Sequence, residues 1–410
     1  MSYTDIDDVP VWGPPDGDAV RQIHMCLSNK DAAAGALMGD HHVGYSMPIG
    51  GVVAYHDMVS PSGVGFDIAC GNKAVRLDIE ADDLRRDVSK IMDQVYREIS
   101  FGIGRKNRED VDHELFDDPA WQLVKRLGIK APKHADIKEM ARQQLGTVGS
   151  GNHYVDLFVD EQDRVWCGVH FGSRGFGHKI AKYFVDAGGG VDGMHVEPVV
   201  FHERSNLGEA YIQCMELAGR YAYAGRDWVA QKVARLLKTR IVEQVHNHHN
   251  FAWKETHTID GCELDVWVVR KGATPAFPGQ RGFVGGSMGD ISVILEGVDS
   301  EDSVTALRST VHGAGRVMSR TRAAGRKRWS KQTRGFVRTS EGEISHEMMM
   351  KWVREAGVEL RGAGTDESPH CYKRLPDVLA AHESTVRILH TLTPIGVAMA
   401  GADEFDPYKD

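Results

Sequence analysis

Pro61-Ser-Gly-Val-Gly-Phe-Asp-Ile-Ala-Cys-Gly-Asn-Lys73 is the stretch on which the reading of this chain turns. It sets a carboxylate, Asp67, three residues before a thiol, Cys70, in a loop punctuated by Gly63, Gly65 and Gly71. Glycine permits backbone turns that a residue with a Cβ resists. The spacing therefore predicts that Asp67 and Cys70 reach one point, a hard oxygen ligand beside a soft sulfur one. In isolation such a loop more often holds a buried cysteine that acts as a small hydrophobe. The rest of the chain changes that balance, because Asn-His, His-Asn and His-Gly pairs recur in similar glycine loops.

Those loops come in order. Leu145-Gly-Thr-Val-Gly-Ser-Gly-Asn-His-Tyr154 delivers Asn152 and His153 to the start of a strand. Val165-Trp-Cys-Gly-Val-His170 reads as a strand ending in histidine, and Phe171-Gly-Ser-Arg-Gly-Phe-Gly-His178 as a tight loop opening a helix. Ser205 is placed to cap a long helix reaching about Arg240, whose stripe of Ala210, Tyr211, Cys214, Leu217, Ala218 and Tyr221 belongs to the core. Val245-His-Asn-His-His-Asn-Phe251 reads as an unusually polar connection, followed by a strand pair around Cys262–Arg270. Gly285-Gly-Ser-Met-Gly289 leads into a strand at Ile291–Leu295, and Ser309-Thr-Val-His-Gly-Ala-Gly-Arg316 follows. With glycine loops spread from Gly63 to Gly315 and no Pro/Gly/Ser-rich linker or repeat, one α/β unit spanning 1–410 is expected, its loops converging in one cleft.

Composition narrows the classes. The 410 residues, 41% apolar and 26% charged, suit a large globular core. Met1-Ser-Tyr-Thr-Asp-Ile-Asp-Asp8 is acidic, unlike the basic start of a secretory signal, and no apolar run approaches a membrane span. A cytoplasmic protein without membrane attachment is expected. The six cysteines are scattered and form no CxxC pair, which argues against a disulfide framework or a zinc ribbon. A net charge of −9 excludes uniform coating of nucleic acid. One local basic run, Arg320, Arg322, Arg326, Lys327, Arg328, Lys331 and Arg334 around Trp329, could steer a polyanion.

Asp67, Cys70, His153, His170 and His249 are the candidate metal ligands. Carboxylate, thiolate and imidazole are standard donors for a transition metal, and the set is too long for one open-site ion. It suits a pair sharing Cys70. His312 differs: His312-Gly-Ala-Gly-Arg316 surrounds an imidazole with backbone amides and an arginine, groups that cradle phosphate. A histidine there can serve as acid, base or nucleophile toward phosphorus. No GxxxxGK[ST], Lys-x-Asp-Gly or HExxH occurs, so P-loop, ordinary lysine-dependent ligase and common metalloprotease arrangements are absent.

Taken together, these motifs resemble the RtcB-type RNA ligases, from roughly Val43 to Gly401. The resemblance rests on Gly63–Gly71, Leu145–His153, His170–His178, His249-Asn250, Arg270-Lys-Gly-Ala-Thr274, Gly286-Ser-Met-Gly289 and His312–Arg316. It implies a compact α/β (α+β) fold with mixed sheets and helices around one dinuclear cleft. It also implies two Mn2+ ions, one on Asp67, Cys70 and His153, the other on Cys70, His170 and His249. His312 would attack the α-phosphate of GTP. The resulting GMP would activate an RNA 3′-phosphate, itself supplied directly or by opening a 2′,3′-cyclic phosphate, for joining to a 5′-hydroxyl end. RNA repair or tRNA splicing, and an archease-like activator as partner, belong to the same implication. Asn152, Asn250, Gly285, Gly286, Ser287, Met288, Ser292, Gly313, Ala314, Gly315 and Arg316 would hold the guanylate.

Two departures stand out. Gly285-Gly-Ser-Met replaces the family's Pro-Gly-Ser-Met. The family's terminal Lys-Gly, whose lysine reads guanine, is missing from Pro394-Ile-Gly-Val-Ala-Met-Ala-Gly401, and Lys409 in the 402–410 extension is the candidate substitute. Two rival readings keep part of the chemistry. A phosphodiesterase that only opens cyclic phosphates would dispense with His312, and an RNA-end sensor would use only the basic run.

Overall fold

The computed structural model describes residues 2–191, 193–330, 335–402 and 404, with side chains omitted at 327–330, 335 and 336. Lys409, and with it most of the 402–410 segment, lies outside the described residues, as do Lys331 and Arg334 of the basic run.

Two large sheets carry the fold. In the six-stranded sheet the order is Tyr3–Ile6, Val9–Trp12, Ala32–His42, Ile49–Tyr55, Cys262–Lys271, Asn250–Ile259. Its last two strands form a hairpin closed by Asp260-Gly261, both at positive φ (51° and 75°), with Ile259 facing Cys262. Asp-Gly is the dipeptide that such a two-residue turn favours. In the eight-stranded sheet the path is Ile241–His248, Gly71–Glu80, Arg164–Phe171, Tyr154–Asp160, Val386–Gly401, Ser292–Gly297, Arg281–Val284, with Glu359–Ala363 pairing parallel to Val386–Gly401. This mixed α/β architecture, helices against sheets, is the class the sequence predicts.

Ala81–Glu98 is a helix, and the long helix Asn206–Leu236 bears out its periodicity, capped by Ser205, whose hydroxyl accepts from Gly208 N at 3.0 Å. Ala210, Tyr211, Cys214, Leu217, Ala218 and Tyr221 are all buried. The long helix stops at Leu236, short of the expected Arg240, because the chain turns at Lys238 (φ 52°) to enter the strand Ile241–His248.

A second difference matters more. Val245–Phe251 is not a connection: residues up to His248 complete a strand of the eight-stranded sheet, and Asn250 begins a strand of the six-stranded one. His249 is the single residue between them, so the chain passes from one sheet to the other at a histidine. The polarity that reads as loop belongs to strand ends lining a cleft.

Arg270 pins this crossing. It is fully buried, donates to both Glu255 carboxylate oxygens at 2.8 Å, and also reaches Ser309 Oγ at 2.7 Å and Leu307 O at 3.0 Å. His257 Nε2 lies 2.7 Å from Glu255 Oε2 on the other side. Removing one partner of such a pair leaves a buried charge uncompensated. Arg270→Ala is expected to cost roughly 3–5 kcal/mol in denaturant unfolding, and a paired apolar replacement of Arg270 and Glu255 much less.

Candidate metal centre and nucleotide cleft

Each ligand candidate sits at a strand end, and register brings the ends together. Gly71 opens its strand opposite both Phe171 and His248, Asn72 pairs with His170, and Tyr154 also pairs with His170. Three strands and the start of a fourth thus place Cys70, His170, His153 and His249 at one end of the eight-stranded sheet.

The loop before Cys70 is shaped less by its glycines than the sequence predicts. Ser60 caps the turn Pro61–Val64, accepting from Gly63 N at 3.0 Å, and Gly65 then takes φ 89°. The decisive twist is at Ala69, a residue with a Cβ at φ 59°, held by its N–H to Asn250 O at 2.7 Å. A non-glycine residue in this region stores strain that its surroundings must hold. Gly71 and Gly172 serve close approach instead: a Cβ on the first would strike Asn247 O, and one on the second the Asp67 carboxylate.

Cys70 Sγ lies 3.3 Å from His170 Nε2 and 3.6 Å from His153 Nε2, and these three side chains form a group able to hold an ion. Asp67 Oδ2 is 3.1 Å from His153 Nε2. His249 packs on His170 with ring centroids 5.1 Å apart, and its backbone N–H donates to Cys70 O at 2.8 Å. All five predicted side chains are contiguous.

Their electrostatics suit a cation. Burial, reinforced by Asp67, pushes the Cys70 thiol well above its ordinary range. Burial also drives His170 and His249 well below theirs, so both imidazoles are neutral. Asp67 stays ionised although burial opposes it, because His153 and Arg174 hold it down. The buried Nδ1 of His249 has no hydrogen-bond partner. Neutral imidazoles, a carboxylate and a thiol that only a strong positive charge would deprotonate are donors that fit a transition metal. Asp160, Glu161 and His390 also lie close enough to hold an ion. There Asp160 is already taken: its oxygens accept from Gln162 N, Arg164 N, Arg164 Nε and Trp166 Nε1 at 2.7–2.9 Å.

His312 stands beside this group, its ring centroid 4.8 Å from that of His249. Sequence reasoning missed its partner. Asp40, fully buried at the end of the strand Ala32–His42, places Oδ2 2.6 Å from His312 Nδ1 and accepts the backbone N–H groups of His312 and Gly313 at 3.1 and 3.2 Å. Burial would raise the Asp40 carboxyl; His312 and Lys373 overcome this and keep it ionised. The one available signal was an acid closing an apolar strand, in Gly39-Asp-His-His42.

A cleft of about 300 Å³ opens from His312. Asn152, Gly285, Gly286, Ser287, Met288, Gly313, Ala314, Gly315 and Arg316 line it, as the resemblance implies for a nucleotide. Asn250 and Ser292 do not line it; they hold its walls. Asn250 ties Asp67 O to Gly272 N (3.3 and 2.7 Å), and Ser292 Oγ accepts from Gly286 N at 3.0 Å. Sequence reasoning also missed Asp156, a cleft-lining carboxyl that burial pushes well above the ordinary range and whose Oδ1 has no partner. Arg316 is braced by Tyr372 Oη at 2.8 Å and Asp366 O at 2.7 Å.

Comparison with known proteins settles the family. The profile of the family described as tRNA-splicing ligase RtcB matches residues 27–400. The chain belongs to the RtcB family. It is 31% identical over 386 residues to the RNA-splicing ligase RtcB of Escherichia coli K12, covering 88% of each chain. It is 29% identical over 431 residues to the tRNA-splicing ligase RtcB of Thermococcus kodakarensis, covering 88% of this chain and 86% of that one. The tRNA-splicing ligase RtcB of Archaeoglobus fulgidus is 29% identical over 455 residues, with 93% and 91% covered. The family is one of RNA ligases, and an RNA substrate follows from it. No helix among the described residues is long and apolar enough to cross a membrane.

The thiols give a direct check of the site's burial. Only Cys262 of the six cysteines is exposed, and burial raises the thiols of Cys26, Cys70, Cys167, Cys214 and Cys371. In native metal-free protein at pH 7.5, iodoacetamide is expected to modify Cys262 at least about 100-fold faster than Cys70, since the thiolate is the nucleophile. Peptide mapping over time reads the order.

Proposed function

We propose that this RNA ligase is GTP- and Mn2+-dependent and joins RNA 2′,3′-cyclic phosphate or 3′-phosphate ends to 5′-hydroxyl ends through a histidine–GMP intermediate. The observation that carries the reading is the Asp40–His312 contact beside the Cys70 cluster, at the mouth of a nucleotide-sized cleft. Nδ1 lies 2.6 Å from Asp40 Oδ2 without hydrogen-bond alignment, and a proton on Nδ1 facing that carboxylate would leave Nε2 of His312 its lone pair for phosphorus. Asp40 fixes the ring and stabilises the positive charge that the ring acquires as the bond forms, the orienting role of a buried carboxylate.

The steps balance without an outside reagent. Nε2 of His312 bonds to the α-phosphorus of GTP as the bond to pyrophosphate breaks. An oxygen of the RNA 3′-phosphate then takes the GMP from the histidine, giving an RNA-ppG end. The 5′-hydroxyl attacks the RNA phosphorus, GMP leaves, and the hydroxyl proton passes to solvent. A cyclic phosphate is first opened by water at the same site. Asp67, Cys70 and His153 would hold one ion and Cys70, His170 and His249 the other. When bound, the pair supplies charge neutralisation and orientation for in-line displacement. Manganese stands low in the Irving–Williams order, so its selection rests on geometry and supply. The N–H groups of Ala314 and Gly315 and the braced Arg316 offer donors to phosphate, the Gly313 N–H being held by Asp40.

Asp156 bears on the base. Its unpartnered oxygen offers an acceptor to the N1–H and exocyclic amine of guanine, whereas adenine has no N1–H to give. Lys409 is the sequence-level candidate for the same task. The ratio of GTP to ATP use in Asp156→Leu and in Lys409→Ala assigns it: at least about a tenfold drop is expected for Asp156→Leu, which removes the acceptor. Repair or tRNA splicing as the physiological setting, and any archease-like activator, remain implications of the family.

The deciding experiment is intact-mass measurement after incubation with GTP and Mn2+. A gain of one GMP is expected in the unaltered protein. It should be lost in His312→Ala and form on the order of 100-fold more slowly in Asp40→Asn. Opening of cyclic phosphates by His312→Ala, with no adduct in the unaltered protein, would favour a phosphodiesterase instead.

A further inference from the structure

Arg226 lies on the long helix Asn206–Leu236 and is fully buried. A buried guanidinium ordinarily has a carboxylate beside it. This one donates instead to two carbonyls and two imidazoles. Nη1 reaches Ala69 O at 2.9 Å and also Phe171 O, Nε reaches His246 Nε2 at 2.8 Å, and Nη2 lies 3.0 Å from His248 Nδ1. Nη2 also packs against Gly71, where an added Cβ would sit 3.0 Å away. Tyr223 closes the far side, its ring 5.3 Å from the guanidinium carbon and 4.2 Å from the His248 ring.

The identity of those partners is what matters. Ala69 directly precedes Cys70, Phe171 directly follows His170, and His248 directly precedes His249. One planar fork therefore grips the neighbour of each of three candidate ligands, on three different strands or strand ends. It touches nothing next to His153 or Asp67. Ala69 is also the strained residue of the loop, at φ 59°, and its carbonyl is one of the groups Arg226 holds. Strain of this kind persists only when the surroundings fix it. A guanidinium only donates, so both imidazoles must present a lone pair to it.

We propose that Arg226 is a positioning residue for the metal centre, and specifically for the ion held by Cys70, His170 and His249. The proposal rests on the two-ion reading of the site. Lysine cannot substitute, because a point charge on a flexible stem cannot span three strand ends as a rigid fork does. Groups that orient ligands in this way commonly change metal affinity by about 10–100-fold when replaced. An arginine that merely fills the core would weaken the fold without choosing between the ions.

The test uses Co2+, whose thiolate charge-transfer and ligand-field bands report the site, with bound metal counted by equilibrium dialysis. The full chain, Arg226→Lys and Arg226→Gln are compared, with circular dichroism and elution volume as checks on folding. Two Co2+ per unaltered chain are expected, with a thiolate band. In Arg226→Lys the ion on His170 and His249 should bind about 10–100-fold more weakly, and the ion on Asp67 and His153, touched only through the shared Cys70, should weaken clearly less. Equal affinities for both ions in the variant and the unaltered chain would overturn the proposal. So would equal weakening of both ions, or loss of fold in both variants, each of which marks a structural arginine. If the unaltered chain binds no Co2+ at Cys70, the two-ion reading itself fails.

Discussion

The register of the strands around Gly71 is the constraint on which the site depends. Gly71 must face Phe171 on one side and His248 on the other, and His170 must face Tyr154. A slip of one residue in any of these ladders would turn a ligand to the opposite face of the sheet. The core holds the register, through apolar residues such as Val165–Val169 and Val155, Leu157, Phe158 and Val159, and the chemistry inherits it. Four segments distant in sequence thus meet at one sheet end, where loops are free to vary and strands are not.

Burial then sets the electrostatics. Cys70, His170 and His249 are buried and Asp67 and His153 partly so, and each group settles in the state its neighbours allow. Asp67 and Asp40 stay ionised because His153, Arg174, His312 and Lys373 hold them there against burial. Cys70 is pushed the other way, and His170 and His249 are held neutral. The result is a site whose thiol needs a cation and whose imidazoles are free to bind one. His312 differs from its neighbours in lying against a fully buried carboxylate, Asp40, that is not among the candidate ligands.

What the sequence disclosed follows the range of each interaction. Asp67 and Cys70 are legible because they share a loop, and His153, His170 and His312 because glycine loops flag them locally. The long helix is legible from its apolar period, whereas the strand pair expected around Cys262–Arg270 is one strand, Cys262–Lys271, paired with Asn250–Ile259 across Asp260-Gly261. Asp40 and Asp156 were invisible because each reaches the cleft only through pairing with distant strands: Asp40 lies 272 residues from His312. Val245–Phe251 was misread for a related reason. Its polar residues belong to strand ends facing a cleft, so the usual apolar strand pattern is missing. Ala69 departs from the expectation that glycines shape the loop, since two hydrogen-bonding neighbours, Asn250 and Arg226, hold a residue with a Cβ at positive φ there.

The central claim is that these strand ends build one site for two ions that share Cys70. Anomalous diffraction at the manganese edge, from crystals grown with Mn2+, tests it most directly. Two anomalous peaks are predicted, both within bonding distance of Cys70 Sγ, one shared with Asp67 and His153 and the other with His170 and His249. A single peak, or manganese bound only at Asp160, Glu161 and His390, would contradict the account.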